Sequence, residues 1–329
     1  MKNYVLGDPS LATLANDFVW LSIDTERESN APFVAKFTHE ALPTLWVIAP
    51  EDEHVALQWA GTLTARELRT MLSDLAAPAT PERASHARIE QLSKTDQAAC
   101  ARMAVSEAKK LPRGTPRADI VAEGIDCARD AKLEAELAEL LAVAQRDASE
   151  GGDALLADDR SALYESIVDT KKERGDVAGA RAAAAEWARL LEGEAAKAKT
   201  KEARAVFDAH RAEAYIALGE PQRAVAMLQE SEKDFPSDYN PPARLAWVYL
   251  EMKKLDDATL AVERAKKLVY GPRVLRVLVV AADIAKAKGD REGERRALDE
   301  ALARTENKPL TRGQTKLREG LILRRNALP

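Results

Sequence analysis

Two cysteines, four histidines, paired aspartates, and tyrosines beside proline turns are the side chains here that could do chemistry. Cys100 and Cys127 stand 27 residues apart on separate helical stretches rich in alanine. Neither has a second cysteine at the short spacing that dithiol exchange needs, so the default reading is two buried free thiols. A disulfide between neighbouring helices is the alternative, and it requires an oxidising compartment. His39, His54, His86 and His210 have no partner at metal-ligand or catalytic spacing and read as ordinary surface or boundary residues. Asp158-Asp159 and Asp256-Asp257 fall where loops and helix caps belong. Tyr239-Asn240-Pro241-Pro242 and Tyr270-Gly271-Pro272-Arg273 offer Tyr and Arg as anchors, with Tyr239, Asn240, Tyr270 and Arg273 as candidates for lining a binding groove. The alternative is that both are plain turns between repeats. There is no phosphate-binding glycine loop, nucleophile elbow or metal-ligand cluster, so the sequence implies no cofactor and no catalytic residue.

The elements that must position these residues fall into two parts. Near the N-terminus, Phe18–Asp24 and Thr44–Ala49 are apolar nearly throughout and read as strands covered on both faces. Val55–Gly61 follows after only Pro50-Glu51-Asp52-Glu53, a gap that permits an antiparallel hairpin. Thr64-Ala65-Arg66-Glu67 reads as a capping box, and Leu68, Met71, Leu72 and Leu75 form the apolar stripe of the next helix. Residues 78–81, with two prolines among small residues, read as a short stiff linker. Beyond it the pattern is helical: two helices over 82–110 broken at Ser93–Asp96, then one long or two short helices over 117–148.

From about residue 160 the chain resembles tetratricopeptide repeats. Ala212, Tyr215, Gly219, Ala224 and Pro236 occupy the small, aromatic, turn-glycine, small and terminal-proline positions. Ala258 lies 34 residues after Ala224, with Ala246, Tyr249, Leu255 and Ala265 in register. A looser unit holds Ala282, Gly289 and Ala301, two residues late, and an earlier one holds Tyr164, Gly175, Ala180 and Trp187. The resemblance implies paired helices, a concave surface, and a protein or peptide partner.

The run FVWLSIDTE…FTHEALPTLWVIAP…HVALQWAGTLTARELRTML resembles the second half of a thioredoxin-fold domain, over residues 1–77. That likeness implies a cis bond at Leu42-Pro43 and a substrate-peptide edge at Leu42, Pro43 and Thr44. It also implies a strand and a Cys-x-x-Cys ahead of Met1, so Met1 is expected to be an internal methionine. A genuine remnant lacking that segment is the competing reading. The expected organisation is a partial α/β thioredoxin-like domain over 1–77, the linker 78–81, a helical region over 82–159, and a helical-hairpin repeat array over 160–329. Ten residues are expected to be buried: Val19, Leu21, Leu45, Val47, Leu68, Leu72, Tyr215, Leu228, Tyr249 and Leu278.

Composition bounds the function. The chain is 46% hydrophobic but only 5% aromatic, which favours close-packed helices over a large β core. A net charge of −5 gives nucleic-acid binding no electrostatic support, and no segment reaches the length of a membrane span. As it stands the chain reads as cytoplasmic; a start further upstream would allow a periplasmic or lipid-anchored location. Three functions stay open: a thiol-disulfide oxidoreductase if a Cys-x-x-Cys lies upstream, a redox-inactive adaptor, and a structural helical scaffold. Oligomeric state is not fixed by the sequence.

Overall fold

The computed structural model describes residues 5–25, 27–38, 43–60, 63–76, 81–151, 155–270, 273–306 and 312–328. Two 3-10 turns, Pro9–Leu14 and Glu28–Asn30, precede α1 (Ala31–Lys36), β1 (Thr44–Ile48), β2 (Val55–Ala60) and α2 (Ala65–Ser73). Then come α3 (Pro81–Thr95), α4 (Gln97–Lys110), α5 (Thr115–Asp130), α6 (Glu134–Glu150), α7 (Ala157–Glu173), α8 (Val177–Lys197), α9 (Lys201–Ala205) and α10 (Asp208–Leu218). The C-terminal part holds α11 (Pro221–Asp234), α12 (Asn240–Glu251), α13 (Leu255–Leu268), α14 (Val274–Ala287), α15 (Arg291–Arg304) and α16 (Arg312–Asn326).

Contacts divide the chain into two compact units, each discontinuous in sequence. The first takes residues 1–19 and 63–220, the second residues 20–62 and 221–329. In both, consecutive helices pack against each other and alternate helices touch again, so each is a stack of helix pairs. The first runs α3, α4, α5, α6, α7, α8 and α10, with α2 packed on the Pro9–Leu14 turn and on α7. The second runs α11 to α16 and carries the β1–β2 hairpin and α1.

The pairs turn in one recurrent way. Lys132, Gly175, Lys253 and Gly289 adopt left-handed backbone at the turns of α5/α6, α7/α8, α12/α13 and α14/α15. The residue after each donates its amide back to a carbonyl near the first helix's end: Leu133 to Ala128, Asp176 to Lys171, Lys254 to Tyr249 and Asp290 to Ala285. This closes the helix end in the Schellman manner, for which glycine is the easiest residue. Lysine fills the site twice, which hides two of the turns from a search for glycine.

Between helices, small residues set the approach. Ala224 and Ala258 are fully buried one 34-residue step apart. Ala258→Leu should overpack α13 and lower the unfolding free energy by about 1–3 kcal/mol; an unchanged denaturation midpoint would show that the small-residue register is wrong.

The α/β expectation needs correction. Phe18–Asp24 forms no strand: the segment leaves a turn and runs without regular hydrogen bonding. Val19 is 87% and Leu21 74% exposed, against the expectation that both are buried. An apolar run becomes a strand only where a neighbouring backbone supplies the ladder, and the sheet holds just β1 and β2 among the described residues. The hairpin itself forms, Thr44 opposite Ala60 through to Ile48 opposite Val55, with an irregularity after Val47. Leu45 and Val47 are half-buried because a two-stranded sheet has little to cover it. Tyr249 is half-buried as well, while Leu68, Leu72, Tyr215, Leu228 and Leu278 are buried. On α2 the capping box is complete, Thr64 Oγ1 accepting from the Glu67 amide and the Glu67 carboxylate accepting from the Thr64 amide. Of the expected linker 78–81, Pro81 begins α3; its residues 78–80, the Leu42-Pro43 bond and the Gly61 and Gly271-Pro272 positions lie outside the described residues.

Candidate functional site

The second unit gathers an aromatic and cationic corner from two successive helix starts. Tyr239 immediately precedes α12 and Arg273 immediately precedes α14, 34 residues apart, so they are equivalent positions of neighbouring repeats. The Tyr239 and Tyr270 rings meet edge to face at 5.7 Å. The Arg273 guanidinium lies 4.7 Å over the ring of Trp59, a β2 residue only 5% exposed. A cation over an indole face contributes about 0.5–2 kcal/mol, more as water is excluded.

Burial pushes the Tyr239 phenol up to about 12, although the Arg273 charge opposes the shift. Its hydroxyl is buried with no hydrogen-bond partner among the described residues. Burial, then the Asp238 carboxylate, also raises the Tyr270 phenol.

Of the expected groove residues, Tyr239, Tyr270 and Arg273 thus converge. Asn240 is used otherwise: its amide and its side-chain Nδ2 both donate to Asp238 Oδ1, at 2.8 and 2.7 Å, which starts α12. Pro43 forms the bend before β1 and Thr44 opens that strand opposite Ala60; Leu42 is outside the described residues. Trp59 carries no signal in the sequence beyond its place in the hairpin run Val55–Gly61.

The first unit holds a buried ion cluster in which the Asp158-Asp159 pair, in the first turn of α7, meets partners distant in sequence. Arg69 on α2 is 6% exposed, and its Nη2 lies 2.5 Å from Asp159 Oδ1 and 3.4 Å from Asp119 Oδ2. Asp159, in the first turn of α7, is fully buried. Next to it, Asp158 Oδ1 lies 2.8 Å from His210 Nε2, and Glu213 Oε2 lies 3.4 Å from His210 Nδ1. These partners are separated by 50, 52 and 90 residues, apart from the Glu213 contact within α10.

Burial pulls the His210 pKa down, but hydrogen bonds to Asp158 and Glu213 outweigh it and raise the ring to about 10. Through this ring, held cationic at neutral pH, α10 is joined to α7. Its charge surroundings are Asp158 and Glu165 from α7, Glu213 from its own helix and Arg66 from α2.

The sign of the pH effect follows. A folded pKa raised from 6.5 gives stability fully present below about pH 6.5 and lost as pH rises through about 10. Burial pushes Asp158 up, but His210 and then Arg66 together outweigh it and lower the carboxyl from 3.8, so its contribution is lost as pH falls through the depressed value. Between pH 6 and pH 9 the wild type should therefore lose roughly 2–4 kcal/mol from this group. Thermal melts of wild type and His210→Gln across that range check it: the variant should show a flatter profile, and parallel profiles would refute the assignment.

The cysteines also depart from the default. Cys100 on α4 and Cys127 on α5 form a disulfide, with Cα atoms 6.0 Å apart and both side chains buried. Spacing alone could not reveal this, because it depends on how closely α4 and α5 cross. That crossing is tight: a Cβ added to Gly124 would stand 2.3 Å from the Ala104 Cβ.

No metal-holding group of His, Cys, Asp or Glu occurs among the described residues. None of the described helices is long and apolar enough to cross a membrane.

In class the chain is a helical-repeat protein. No family model matches it, and no curated protein matches it. Among solved structures it is similar to a tetratricopeptide repeat protein from Parabacteroides merdae, with 13% identity, 72% of this chain and 99% of that chain covered, and a TM-score of 0.30.

Proposed function

We propose that this chain is a protein-binding helical scaffold whose recognition surface includes Tyr239, Tyr270 and Arg273. The observation that carries the reading is their convergence from two consecutive repeat starts into one corner. Tyrosine and arginine are the side chains that most often anchor interfaces, since each combines a large contact area with polar atoms. Stacked helix pairs repeat such a position along a surface, which suits an extended segment of a partner. Thiol-disulfide exchange is not part of this reading, because both cysteines of the chain are buried and bonded to each other. The same bond supports placing the chain in an oxidising compartment.

Selection of random peptides displayed on phage against the full chain tests the reading. Enriched peptides should bind with micromolar affinity and lose about tenfold or more on Tyr270→Ala, as truncation of an anchor does. No enrichment, or binding indifferent to Tyr270→Ala, would contradict it.

A further inference from the structure

We infer that the Tyr239–Tyr270–Arg273 corner receives an aromatic side chain presented from an extended segment, and that the chain's own β1–β2 hairpin is its resident, displaceable occupant. The inference rests on the protein-binding reading above and names the partner's chemistry. Trp59 is the occupying group, its indole under the Arg273 guanidinium. Tryptophan presents the ring face most favourable to a cation, so the corner selects an aromatic over an aliphatic residue.

Register shows how the hairpin offers that side chain. Trp59 stands opposite Leu45 and Trp46 opposite Gln58, so the two tryptophans project from opposite faces of the sheet. Trp46 packs edge to face on Phe33 of α1 at 6.1 Å, and Phe33 meets Phe37 at 4.7 Å. Lys36 of α1 pairs with Glu53 in the hairpin turn. The hairpin and α1 therefore form one small module, and Trp59 is left for the repeats.

Two features make the occupant replaceable. A two-stranded hairpin is marginal by itself and depends on what it docks against; every residue of β1 is only half-buried. With Trp59 in place the buried Tyr239 hydroxyl still has no hydrogen-bond partner among the described residues. A competing segment with an aromatic residue and a nearby carbonyl or amide could meet that hydroxyl as well, which is worth on the order of tenfold in affinity. The partner class is thus an extended peptide bearing an aromatic residue beside a hydrogen-bonding group.

The test uses a labelled peptide of residues 44–60 titrated into the full chain. Trp59→Ala, with its corner vacated, should bind this peptide at least tenfold more tightly than wild type does. Trp59→Ala/Arg273→Ala should lose that gain, and so should a peptide with alanine in place of its own Trp59. Equal affinity for wild type and Trp59→Ala, or no binding to Trp59→Ala, overturns the inference.

A second measurement avoids any folding defect of the variant. In the 15N-labelled wild-type chain, saturating unlabelled peptide should speed amide exchange in Val55–Ala60 about tenfold; unchanged exchange overturns the inference. Peptides selected by display that bind wild type and Trp59→Ala equally would defeat the occupancy while leaving the protein-binding reading intact. Failure of every peptide to bind either chain would defeat both.

Discussion

Arg69→Ala should lower the unfolding free energy by about 3–5 kcal/mol, the usual cost of removing one member of a buried ion pair. Arg69 joins α2 to Asp159 on α7 and Asp119 on α5, and neither Arg69 nor Asp159 has solvent to fall back on. Truncation removes the guanidinium that faces a fully buried carboxylate inside the helix stack. The loss is larger than the net value of the ion pair. Among the described residues the buried Arg69 Nε and Nη1 atoms have no hydrogen-bond partner, so the wild-type arrangement already carries a desolvation cost. Arg69→Met with Asp159→Leu should therefore recover a large part of the stability lost by Arg69→Ala. Chemical denaturation of the three proteins decides; a single variant within about 1 kcal/mol of wild type would mean that the cluster is hydrated.

The second large effect concerns the covalent tie between α4 and α5. Closing a loop of 27 residues removes denatured-state freedom, which amounts to roughly 3–4 kcal/mol in the chain-entropy description. Cys100→Ala/Cys127→Ala should lose stability of that size, measured under non-reducing conditions. Cysteine and alanine are close enough in size that packing loss adds little beside it. Thiol titration of the denatured wild-type chain should find no free thiol; two free thiols, together with a double variant as stable as wild type, would remove the bond from the account. Gly124→Ala should be destabilising at the same crossing, because Ala104 occupies the space its Cβ needs.

What the sequence disclosed was mostly local. The Thr64–Glu67 capping box, the break before α4 where Asp96 caps the helix, and the turns at Gly175 and Gly289 each depend on neighbours within a few positions. Tyr239, Tyr270 and Arg273 stand out in the sequence beside proline turns, so the residues of the corner were legible, whereas the equivalence of Tyr239 and Arg273 as successive helix starts comes from the structure. The losses came from non-local physics. Phe18–Asp24 has the composition of a covered strand, yet composition does not create the neighbouring backbone that a strand requires. Arg69 and Asp159 are 90 residues apart, and nothing near either announces the other. His210 looked ordinary because its decisive partner, Asp158, comes from another helix. Trp59 passed as hairpin core, since its contact with Arg273 depends on where the hairpin docks.

The proposed binding of a partner segment at the Tyr239–Tyr270–Arg273 corner is open to direct test. Photo-crosslinking tests it most directly, with benzoylphenylalanine placed at position 270 and, as a control, at exposed position 291 on α15. A display-selected peptide should crosslink at position 270 and not at 291, and Arg273→Ala should abolish the product. Crosslinking that is equal at both positions, or that survives Arg273→Ala, would place the binding surface elsewhere.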